Sequence, residues 1–136
     1  MRAYATIYSQ MLNFRQFEAG PDPFGRKYRV MLKWLQTAIS IRHSDTVDVK
    51  FVLTDDNGVH TEKAIAMQHA HLLTVSRETG RIMDDPWCTR LAALHLVYLV
   101  ETGEDMEKDL VTMTLPDLRR HAEQEKQSDF AAVHAK

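Results

Sequence analysis

Apolar residues recur along this chain at two spacings, one near three and a half residues and one of two, and the changes of spacing divide it into elements. The fullest element runs from Pro86 to Thr102. Asp85 is read as its N-cap, Pro86 as its first helical residue and Gly103 as its stop. At about 100° per residue, Leu91, Leu94, Leu96, Val97, Leu99 and Val100 point in nearly every direction. A helix apolar all round is enclosed by its own protein or by a partner.

The remaining elements are read in the same way. Tyr4, Ile7, Tyr8, Met11 and Leu12 predict a helix over 3–17, although Tyr4 to Tyr8 would also serve as a strand. Gly20-Pro21-Asp22-Pro23-Phe24-Gly25 breaks it. A second helix is expected over 26–42, with one stripe of Tyr28, Met31, Leu32, Leu35, Ala38 and Ile39 and another of Val30, Trp34 and Ile41. Val47, Val49, Phe51 and Leu53 alternate with mostly polar neighbours, which predicts a strand. Asp55-Asp56-Asn57-Gly58 then predicts a hairpin turn, and Val59–Ile65 is either the return strand or a helix capped by Thr61. A helix follows to Thr79 and ends at Gly80, and an acidic connection over 101–109 follows the apolar helix. Thr114-Leu115-Pro116-Asp117 opens a last helix with a thin stripe of Leu115, Leu118 and Ala122, extended by Phe130 and Val133. The expected fold is mainly α (α+β), a compact bundle of four to five helices with one β-hairpin near residues 47–65. It forms a single domain over 1–126, with a frayed tail over 127–136.

Composition adds bounds. The 136 residues suit one domain, and 44% hydrophobic content is enough for a core without disulfides or a structural metal. Cys88 is the one cysteine, no apolar run reaches the ~18–20 residues that span a bilayer, and no clean leader follows Met1. These features point to a cytoplasmic protein. The net charge of −2 hides an asymmetry. Residues 1–50 hold eight Lys/Arg and four Asp/Glu, giving +4, and residues 51–136 hold nine and fifteen, giving −6. Such a dipole suits head-to-tail association or an acidic protein partner.

Candidate chemistry is sparse. The chain has no P-loop, glycine-rich dinucleotide fingerprint, GxSxG, CxxC or HExxH pattern, and Leu53 spoils a calcium-loop reading of Asp55–Gly58. His69 and His71 diverge by about 200° on a helix and cannot share one ion. His69 and His95 both fall on apolar faces of consecutive helices, so they could form a ligand pocket, a pH switch or a pair of hydrogen-bonded core histidines. Cys88, near a helix N-terminus, would have its thiol acidity raised by the dipole, but it lies about 10 Å along the axis from His95. No metal or cofactor is expected. Arg26, Lys27, Arg29, Lys33, Arg42 and His43, interleaved with Tyr28 and Trp34, form the basic patch. A nucleic-acid binder is normally basic overall, and this chain is not. The two-stripe helix is better read as an interface, with Arg26, Tyr28, Arg29, Val30, Lys33, Trp34 and Ile41 as its residues. The leading expectation is a non-catalytic interaction or regulatory module that self-associates through that helix. A ligand- or metal-binding protein or enzyme using core-facing His69 and His95, with Cys88 as a further candidate ligand-binding residue, is the alternative, and a nucleic-acid binder using 26–43 is a third.

Overall fold

The computed structural model describes residues 14–38 and 45–134, with side chains to Thr37 in the first stretch and to Gln127 in the second. The strands are β1 (Gln16–Ala19), β2 (Tyr28–Ala38), β3 (Thr46–Thr54), β4 (His60–Gln68) and β5 (Leu110–Thr112). The helices are α1 (His69–Thr79), α2 (Asp85–Thr102) and α3 (Leu115–His134). The strands form one sheet in the order β1-β2-β3-β4-β5, antiparallel except for the parallel β4–β5 pair. The chain passes from β4 through α1 and α2 to β5, the long crossover that a parallel pair requires. Among the described residues the architecture is α+β, a mixed sheet with three helices, and not the expected bundle of four to five helices.

The alternation in β3 decides which face is inside. Val47, Val49, Phe51 and Leu53 are buried, and the intervening Thr46, Asp48, Lys50, Val52 and Thr54 are half-buried. Directly opposed residues share a face, so Met67, Ile65 and Val30 join Val47, Val49 and Leu53 on the inner side. Trp87, Leu91, Leu96 and Leu99 of α2 lie in the same core.

The chief correction concerns residues 26–42. The segment is not a helix but β2, and a one-residue slip explains the misreading. Leu32 opposes Phe51, and Trp34 opposes Lys50, which leaves Lys33 as a bulge. Before the bulge the inward positions are Tyr28, Val30 and Leu32, and after it they are Leu35 and Thr37. That change of phase produces apolar spacings of three and four that imitate a helical stripe. The expected helix over 3–17 is also overturned where it is described: Phe14 and Arg15 form a turn, and Gln16 and Phe17 lie in β1. The rest of that expectation lies outside the described residues.

Local chemistry places the other elements. In the loop between β3 and β4, the Asp55 carboxylate accepts the backbone N–H groups of Asn57 and Val59, each at 2.9 Å. The return segment is strand β4, not a helix. Helix α1 ends at Gly80 in the left-handed region (φ 73°). The N-cap of α2 is Asp84 rather than Asp85, because its carboxylate accepts the Trp87 N–H at 2.9 Å. At the other end Gly103 (φ 76°) sends its N–H to the Leu99 carbonyl, and any Cβ there would lie 3.1 Å from Pro23. Strand β5, which directly follows the acidic connection, is not among the expected elements. Lys63 holds that connection down: although it opposes Phe51 on the inner face, its ammonium donates to the carbonyls of Asp105, Met106 and Lys108. Burial lowers the Lys63 pKa, against the pull of Asp109, Glu107 and Asp105.

Candidate functional site

The residues expected to form an interface lie on β2 and the loop before it, and they separate onto different sides. Arg26 is tied to Asp22, whose carboxylate accepts its backbone N–H at 2.8 Å and its Nε–H at 3.0 Å. Phe24 N–H and the Tyr28 hydroxyl complete that shell. Burial pushes the Asp22 pKa up, but these hydrogen bonds outweigh it and the carboxyl sits below its ordinary value. Arg26 and Tyr28 are therefore engaged in shaping the loop. Val30, only 1% exposed, belongs to the inner core and cannot meet a partner. Arg29, Lys33 and Trp34 remain accessible to different degrees: Arg29 and Lys33 are exposed and Trp34 is half-buried. Lys50 lies over the Trp34 ring at 5.2 Å, and Glu62 bridges Lys33 (2.5 Å) and Lys50 (3.2 Å). Hydrogen bonds from both lysines lower the Glu62 pKa. Ile41, together with Arg42 and His43 of the basic patch, lies outside the described residues.

Two features of this side remain open among the described residues. Met31 is 55% exposed on the outer face of the sheet. The edge of β2 is also incomplete, because β1 pairs only with Tyr28–Met31 and is followed by one bond from Leu32 N–H to the Arg15 carbonyl. From Lys33 to Ala38 no described strand lies along that edge.

The histidines are arranged differently from the expectation. His69 is the first residue of α1 and is exposed, so it does not meet His95. The partner of His95 is His121 of α3, with His95 Nδ1 and His121 Nε2 2.9 Å apart and the residues 2% and 1% exposed. His121 Nδ1 lies 3.2 Å from Gln124 Oε1. An amide oxygen only accepts, so His121 Nδ1 carries the proton, and its bare Nε2 accepts from His95 Nδ1–H. Tyr98 stacks on His95 at 5.8 Å, and the Arg120 guanidinium covers Tyr98 at 4.6 Å. Burial lowers both imidazole pKa values, that of His121 to about 4.

Cys88 is buried, and burial, assisted by Asp85 and Asp84, pushes its thiol up to about 12. Burial outweighs the helix dipole, and the thiol is a small apolar packing group. The sequence reading also missed Glu125. It is 1% exposed on α3 and is held by Arg81 at 3.2 Å and Arg90 at 3.1 Å. Both omissions share one signal: His121 and Glu125 continue the Leu118–Ala122 stripe at helical spacing.

No group of three or more His, Cys, Asp or Glu among the described residues could hold a metal ion. Two shallow cavities flank Tyr28. One of about 300 Å³ is lined by Glu18, Lys27, Arg29, Asp55 and Asp56, and one of about 270 Å³ by Arg26, Lys63, Met106 and Lys108. Their charges are mixed. No described helix is long and apolar enough to cross a membrane. No family model, curated protein or solved structure matches the chain.

Proposed function

We propose that this protein is a non-catalytic, cytoplasmic interaction module that pairs with a second copy of itself along the open half of β2. The observation that carries this reading is the eleven-residue length of β2 against the four residues β1 pairs with. Unpaired strand edges are templates for another strand. A second copy suits this edge because antiparallel pairing about a two-fold axis is self-complementary. With the axis at Leu35, Trp34 opposes Gln36 of the other copy and Lys33 opposes Thr37, so no like charges meet. Leu35, half-buried in one copy, then gains an apolar neighbour.

Part of the basic character that suggested an acidic partner is satisfied within the chain. Arg26 is held by Asp22, and Lys33 and Lys50 are held by Glu62. A cytoplasmic setting accords with a single cysteine whose thiol is buried.

The test is the native mass of the full chain and of two variants. Before the bulge, Leu32 N–H points towards β1. The extra residue reverses that alternation, so Leu35 and Thr37 N–H groups point to the open edge. Thr37→Pro therefore removes a donor that no described strand uses, and Trp34→Asp places a charge beside the pairing line. The wild-type chain should be a dimer and both variants monomers with unchanged circular dichroism. A monomeric wild type at high concentration, or variants that keep the dimer mass, would remove the reading.

A further inference from the structure

Helix α3 is held to the body of the protein by an unusually polar face. In its described part the buried side chains are Leu118, His121, Ala122 and Glu125. A docked helix normally buries an apolar stripe. Here half of the stripe is polar, and each polar member is locked to one or two residues outside α3: His121 to His95, and Glu125 to Arg81 and Arg90.

The histidine lock is the one whose geometry leaves no place for a further proton between its partners. In the His95–His121 pair the hydrogen-bonding capacity facing the contact is used up by one proton. Gln124 fixes His121 Nδ1 as a donor, and the single proton between the rings lies on His95 Nδ1. A further proton places a charge in a site almost closed to water, and a second sets two N–H groups against each other across 2.9 Å. The surrounding groups do not remove that penalty. Asp117 on α3 and Glu104 and Asp105 after α2 favour a charged His95, whereas Arg120 opposes it and Tyr98 offers His95 only its ring face. His121 faces the same balance, with Gln124 and Asp117 on one side and His95 and Arg120 on the other.

We propose that the His95–His121 contact is an acid-operated latch, and that proton uptake below neutral pH undocks α3 from α2. The sign follows from where protons bind. In the undocked state both imidazoles are in water and titrate near their ordinary 6.5, whereas burial keeps them neutral in the docked state to lower pH, His121 to about 4. Docking is therefore at full strength above pH 6.5, weakens as pH falls from 6.5 towards 4, and levels off below. Each proton taken up only on undocking favours the open state by up to about tenfold per pH unit. The latch is independent of pairing along β2, which lies at the other side of the sheet order from β5 and the helix that follows it.

Amide hydrogen exchange of the full chain at pH 7 and pH 5, corrected for the intrinsic exchange rate, tests it. The opening constant of α3 should rise at least about tenfold at pH 5 while amides of β3 stay within about twofold. An equal rise in both would show that acid acts on the whole fold, and no rise would show that the pair does not sense acid here. Either result overturns the latch. His121→Gln keeps a donor and an acceptor at the contact but does not titrate, and should flatten the pH response of α3. A response that persists in that variant also overturns the proposal. Should the variant fail to fold, direct NMR titration of the two imidazoles in the wild-type chain decides. Both should titrate below 6.5, and values at or above 6.5 overturn it.

Discussion

Helix α2 and strand β2 both carry apolar residues on more than one side, and they are built for opposite reasons. In α2 the cause is enclosure. Trp87, Leu91, Leu96, Leu99 and Val100 are all at most 2% exposed, although they point in different directions from the axis. In β2 the cause is a slip of phase. Val30 is 1% exposed and its neighbour Met31 is 55% exposed, as an inside–outside alternation demands, but Lys33 then shifts the alternation by one. A hydrophobic pattern reports the period of an element only when one face is buried and the phase is constant. Helix α2 lacks the first condition and β2 lacks the second. Helix α2 was still readable because its ends are marked by local chemistry, and β2 was not because it has no such marks.

The comparison can be broken most forcefully by truncating one large apolar side chain in each element. Leu96→Ala in α2 should cost about 2–5 kcal/mol, because a fully enclosed side chain leaves a cavity. Trp34→Ala in β2, although it removes more atoms, should cost about 1 kcal/mol, chiefly its contact with Lys50. Urea unfolding at a concentration where the chain is monomeric checks both. Equal losses would mean that the outer face of the sheet is as enclosed as α2.

A finer test uses two adjacent residues of β2. Val30→Ala should destabilise by about 2 kcal/mol and Met31→Ala by no more than about 0.5 kcal/mol. A helix over 26–42 would reverse this order, because Met31 would share the main stripe with Tyr28, Leu32 and Leu35. Thermal unfolding of the two variants therefore separates strand from helix directly.

The same distinction explains what was legible in the sequence. The turn at Asp55–Gly58, the helix stops at Gly80 and Gly103, and the Thr114 cap, whose hydroxyl accepts Asp117 N–H at 3.2 Å, are all written within a few residues. Strand β5 is not, because Leu110–Thr112 becomes a strand only by lying beside Ala64–Ala66, more than forty positions earlier. The candidate site shows the same division. His95 was legible as a core-facing residue because its own helix is strongly marked. His121 was not, because the stripe of α3 is half polar and only the folded structure shows what answers it. His69 was assigned inward from a helical wheel, but α1 begins directly at the end of β4, and its first residue is left exposed.

The smallest expected effect concerns the start of α2, where the sequence offers two aspartates in succession. As a cap, Asp84 supplies the acceptor for Trp87 N–H, a donor with no partner inside the helix. Asp85 is the first helical residue and acts only as a negative charge beside the N-terminal dipole. Asp84→Ala should therefore cost about 1 kcal/mol, within the range of a lost cap, and Asp85→Ala about 0.5 kcal/mol at low ionic strength. Salt sharpens the difference: the effect of Asp85 is through-space and fades as salt is added, while most of the Asp84 effect is a hydrogen bond and persists. If the larger and salt-resistant loss belonged to Asp85 instead, the cap would lie one residue later, and every helical position of α2 up to Gly103 would have to be counted from there.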